Sequence, residues 1–247
     1  MKHVVFDACD LQRLRHAVDY AHHASRVPLG SLLPPWIPGD LKRAIISDFA
    51  VSHCATLLFP QSQEGALEYF RRKGWQASEP IPSVLVKRRL IERYGLPEEV
   101  RISVTRVRPA PACSSEVEIF LFAKDCPEYR REIGAEERTH GFENHVGLFT
   151  DRPDGTALGL LVDRLETLGH MVFEGSAHNP HENTTMFYFA PGAAVAGARR
   201  RFPRWELQCS GDLTAIARTR PVDARALDES YTAMKNSAGH RVLTVPG

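Results

Sequence analysis

Several things are missing from this 247-residue chain, and each absence narrows what it can be. Its five cysteines (Cys9, Cys54, Cys113, Cys126, Cys209) form no C-x-x-C pair, so neither a zinc ribbon nor a redox dithiol is supported. Reduced thiols in a cytoplasm are the simplest expectation. Charge of one sign is also missing. The formal net charge is +1, and nothing global points to nucleic acid or an anionic membrane surface. No run of about 18 apolar residues occurs, so no bilayer-spanning helix is expected. Met1 to Asp10 lacks the apolar core of a signal peptide. G-x-S-x-G, P-loop and G-x-G-x-x-G motifs are absent. Cys54 adjoins His53, but neighbours in a strand point to opposite faces and make a poor thiol–imidazole pair. What remains, at 43% hydrophobic and 25% charged residues, is the composition of a soluble globular protein.

What is present is a repeat. Ser47 to Phe59 and Phe142 to Thr150 each read as a strand with one histidine, His53 and His145, and a helical segment follows each. Each copy closes on a strand with a glutamate, Glu118 within Glu116 to Phe122 and Glu206 within Trp205 to Cys209. The separations from 53 to 118 and from 145 to 206 are nearly equal, which suggests a duplicated module holding one metal. Strand alternation agrees. Glu206 and Gln208 share one face against Trp205, Leu207 and Cys209. Glu116 and Glu118 share one against Val117, Ile119 and Leu121. Any half-exposed sheet would show the same alternation.

Around the repeat, Asp10 to Ser25 reads as a helix with Asp10 as its cap. Four prolines between 28 and 38 then imply an extended linker. The expected organisation is 1–46 as N-terminal helix and linker, 47–124 and 140–211 as two modules, and 212–247 as a polar tail with at most one short helix near 224–234. In the first module, Gln63 to Lys73 and Leu85 to Tyr94 read as helices stopped by Gly74 and Gly95. Lys124 to Arg138 reads as a charged connection. The second module reads strand, helix (156–168), then three strands (170–174, 184–189, 204–209).

These residues resemble the vicinal oxygen chelate superfamily, which includes glyoxalase I, extradiol dioxygenases and 4-hydroxyphenylpyruvate dioxygenase. The resemblance covers about 47 to 210 and rests on element order with His53, Glu118, His145 and Glu206. It implies an α+β fold in which two paired βαβββ modules form a curled sheet cup around a divalent metal, with the N-terminal helix as an extension. It also implies two ligand sets. His53, His145 and Glu206 would be the facial triad of a non-haem iron(II) dioxygenase, with positions open for a chelating organic acid or catechol. Adding Glu118, as ligand or base, gives the glyoxalase-like arrangement of an isomerase or lyase on nickel, zinc, manganese or cobalt. The sequence reading leans to iron(II) and the dioxygenase, with Glu118 as the catalytic residue. A non-catalytic binding protein is the third reading, with both histidines merely structural.

The polar run His178 to Thr185 sits between two strands. His178, His181 and Asn183 are candidates to touch substrate, and Glu174 to Ser176 is a candidate for the same role. His140 is a rival ligand in what reads as a loop. Arg204, after arginines 199 to 201, could anchor an anionic substrate, and Arg101, Arg106 and Arg108 invite the same thought. The expected partner is a small molecule, with no nucleic acid or membrane, for a monomer or homodimer.

Overall fold

A computed structural model describes residues 4–197 and 202–238. Arginines 199, 200 and 201 lie outside the described residues. The chain runs α1 (Ala8–Ala24), α2 (Leu29–Leu32), α3 (Gly39–Asp48), β1 (Ala50–Leu58), α4 (Gln63–Arg72), β2 (Gln76–Ala77), β3 (Ile81–Pro82), α5 (Val84–Tyr94), β4 (Ser103–Arg108), β5 (Glu116–Leu121) and α6 (Arg131–His140). It continues with β6 (His145–Thr150), α7 (Gly155–Thr167), β7 (Met171–Asn179), β8 (Thr184–Pro191), α8 (Ala193–Ala196), β9 (Arg204–Ser210), α9 (Thr214–Arg218) and α10 (Ala224–Ala238). The class is α+β, as expected. The chain divides into two compact units, Met1–Arg26 with His53–Asn144, and Val27–Ser52 with His145–Gly247.

In the first unit, β1 lies parallel to β5, β5 is antiparallel to β4, and the short β2 and β3 both pair with β4. The second strand of the module is thus broken into two pieces around Ser78–Pro80. On one face, Ala55, Leu57 and Phe120 join Val86 and Leu90 of α5 in an apolar core. α5 ends at Gly95, which takes the left-handed conformation (φ 60°) that glycine adopts without steric cost. α4 starts at Ser62, whose hydroxyl accepts from the Gly65 amide at 3.1 Å, and it buries Ala66 and Phe70.

In the second unit, β6 lies parallel to β9, β9 is antiparallel to β8, and β8 is antiparallel to β7. Counting strands within each module, both sheets therefore run second, third, fourth, first. α7, capped by Asp154, buries Leu158, Leu161, Val162 and Leu165. α3 belongs to this unit, and Asp40 on it pairs with Arg164 of α7.

Five sequence expectations change. The α1 cap is Asp7, whose carboxylate accepts from the Asp10 amide at 2.9 Å, while Asp10 is buried against Arg138. The Pro-rich segment is not one extended linker, because its prolines stand before α2 and α3 rather than inside them. Pro38 at φ −56° is the N-cap of α3. The charged connection contains α6, whose buried side includes Glu137 as well as Ile133, so no apolar stripe marks it. That helix ends on His140, which stacks on Phe142 at 5.0 Å and does not sit in a loop. The tail carries α9 and a 15-residue α10 rather than one short helix.

Candidate metal centre

Each module builds the same pair by the same register. In the first, His53 stands beside Glu116 in the parallel β1–β5 ladder, and Ala55 stands beside Glu118. In the second, His145 stands beside Arg204 in the β6–β9 ladder, and Gly147 stands beside Glu206. Each glutamate therefore lies two residues past the histidine's partner, on the same face. Each faces a small residue, Ala55 or Gly147, over which its carboxylate can lean toward the histidine. His53 Nε2 lies 3.9 Å from Glu118 Oε2, and His145 Nε2 lies 3.5 Å from Glu206 Oε2.

These side chains are nearly out of solvent, at 4% and 12% exposure for the first pair and 5% and 9% for the second. Both separations exceed the 2.7–3.2 Å of a good N–H···O hydrogen bond. They suit two atoms on one ion. With bonds of about 2.1 Å, two ligands lie about 3.0 Å apart at a right angle and about 4.2 Å apart when opposite. The donor set of imidazole nitrogen and carboxylate oxygen suits a borderline or hard divalent metal. By separation and by donor type, each pair fits half of a metal centre.

The residues next to the pairs differ. In the first module the antiparallel partner of Glu118 is Arg106, whose Nε lies 3.6 Å from Glu118 Oε1. In the second, the partner of Glu206 is the buried Tyr188. Beside His53, Glu116 accepts from Arg108 at 2.7 Å in an exposed pair. Beside His145, Arg204 is buried at 1% exposure. It donates from Nε to Glu174 at 3.0 Å, and Tyr231 of α10 donates to the other oxygen of Glu174 at 2.7 Å. Glu174 is the extra residue where the β7–β8 register shifts between Phe173 and Gly175. A bulge turns such a residue out of the regular alternation.

The same bulge decides where His178 goes. It pairs with Thr185, and Thr185 pairs with Cys209, so His178 lies on the sheet face away from Glu206. His178 belongs to β7 rather than to a loop. His181 and Asn183 lie in the exposed β7–β8 turn, where Asn179 Oδ1 accepts from the His181 amide at 3.0 Å and Asn183 takes φ 48°. The structure therefore joins His53 with Glu118 and His145 with Glu206. It puts His178, His181 and Asn183 elsewhere and buries Arg204 in an internal ion pair. The sequence reading missed Tyr188, although its alternation with Thr184 and Met186 along β8 was a signal. It named Arg106 without its neighbour, which only the register supplies.

No family model and no curated protein matches the chain. Among solved structures it is similar to methylmalonyl-CoA epimerase from Mycobacterium tuberculosis, at 12% identity over 68% of this chain and 91% of that one, with a TM-score of 0.38. It is also similar to a mutant 4-hydroxymandelate synthase from Streptomyces coelicolor, at 10% identity over 76% and 55% of the two chains, with a TM-score of 0.41. A glyoxalase I mutant from Zea mays is 13% identical over 68% and 48%, with a TM-score of 0.20. Likenesses of this degree bear on neither the site nor the activity. Among the described residues, no helix is long and apolar enough to cross a membrane.

Proposed function

We propose that the two His–Glu pairs together hold one divalent metal, and that the protein is a metal-dependent enzyme acting on a small chelating molecule. Each pair offers one imidazole nitrogen and one carboxylate oxygen, so two pairs make up a four-ligand set. The observation that carries the reading is the repeated register: Glu118 stands to His53 as Glu206 stands to His145. This favours four protein ligands over a three-ligand triad with Glu118 outside it, and so an isomerase or lyase over the iron(II) dioxygenase. Nickel, zinc, manganese or cobalt then suits the centre. When bound, the metal acts as a Lewis acid that polarises a chelating carbonyl.

The chain supplies the rest. The two imidazoles, Glu118 and Glu206 would hold the ion. Glu118 would also serve as the base that takes a proton from the carbon next to that carbonyl and returns it. The buried strands around each pair keep most bulk water from the reacting atoms. Metal analysis after anaerobic purification, together with oxygen uptake, tests this. One nickel, zinc, manganese or cobalt ion per chain without oxygen consumption is expected. Bound iron with substrate-dependent oxygen uptake would restore the dioxygenase. A chain that takes up no divalent metal is a binding protein.

A further inference from the structure

Arg204 and Arg106 both suit an anionic substrate by residue type, and their surroundings separate them. Arg204 is 1% exposed and held by Glu174. Arg106 lies on β4 directly across from Glu118, so the two side chains share one face of the first module's sheet. Glu118 turns Oε2 to His53 and Oε1 to Arg106. The Arg106 side chain is 40% exposed, against 12% for Glu118, so it is the more open of the two to solvent. Duplication does not explain it, because the equivalent position beside Glu206 is Tyr188.

Charge points the same way. Two glutamates, two neutral imidazoles and a divalent ion sum to zero, and Arg106 makes the group of five side chains positive. A planar guanidinium has five N–H donors in a fork that matches a carboxylate. We infer that Arg106 is the specificity residue of this centre and binds a carboxylate carried next to the chelating oxygens of the substrate. This rests on the four-ligand reading above.

The test uses protein loaded with Co(II), followed by its visible absorption, and two probes that share chelating oxygens but differ by one carboxylate: 2,3-dihydroxybenzoate and catechol. Arg106→Met is expected to weaken 2,3-dihydroxybenzoate by about tenfold, the size of one charge-assisted contact, and to leave catechol unchanged. Arg106→Lys should recover part of the loss. Equal loss for both probes would make Arg106 a structural residue and overturn the inference, as would an unchanged ratio of the two affinities. Failure of the wild-type chain to bind Co(II) would instead overturn the metal reading, and this inference with it.

Discussion

The two modules carry the same His–Glu pair on the same sheet order, yet they surround it with opposite materials. In the first, the residue beside the histidine is Glu116, exposed and paired with Arg108. In the second it is Arg204, buried and paired with Glu174, which also accepts from Tyr231. The first module also inserts α5 and is followed by α6. These bring buried charge together: Arg93 bonds Glu137 at 2.7 Å and Glu143 at 3.1 Å, Arg89 bonds Glu143, and Tyr94 donates to Glu137 at 2.9 Å. The lesson is that the register repeats the His–Glu geometry in both modules, while the residues beside each pair differ in charge and burial.

The largest expected effect tests the shared part. His53→Ala and His145→Ala should each lower metal affinity by at least about a hundredfold, because removing a ligand costs more than the 10- to 100-fold typical of its supporting partners. Isothermal titration with Co(II) measures this, and loss in one variant with none in the other would break the equivalence. Next comes the difference. Arg204→Met leaves Glu174 buried without its cation and should cost about 3–5 kcal/mol. Glu116→Gln at the matching position should cost about 0–1 kcal/mol, since its pair with Arg108 is exposed. Urea denaturation checks both, and similar costs would erase the contrast between the modules.

A third prediction concerns the small residue that each glutamate faces. Ala55→Leu should weaken metal binding by about tenfold and destabilise the first unit by about 1–3 kcal/mol, the range for overfilling a packed core. Full metal affinity in that variant would show that Glu118 does not lean over this position. The smallest effect is a pH slope. Burial raises the Glu137 pKa against the opposing pull of Arg93, so the folded chain holds that proton more tightly than the unfolded one does. Its contribution is present below the ordinary glutamate value of 4.5 and is lost as pH rises through the raised value. Glu137→Gln should flatten this part of the stability-versus-pH curve, and an unaltered slope would contradict the assignment.

Much of the fold could be read from residue order. The strands around His53, His145 and Glu206 have apolar runs or clean alternation, and α4, α5 and α7 show caps, stripes and glycine stops. Less legible were elements whose inner side is charged. α6 buries Glu137 and so looks like a linker, and α3 hides behind flanking prolines. The face on which His178 stands has one cause. The bulge at Glu174 shifts the register by one, which turns His178 to the side away from Glu206. No local pattern announces that shift.

By itself, the sequence determined the repeated histidine and glutamate, because strand periodicity and spacing are properties of the chain. Only the tertiary structure decided that Glu118 stands to His53 as Glu206 stands to His145, and that Arg106 is exposed while Arg204 is buried. Those facts depend on which residues face one another across paired strands, and pairing is set by the packing of distant segments.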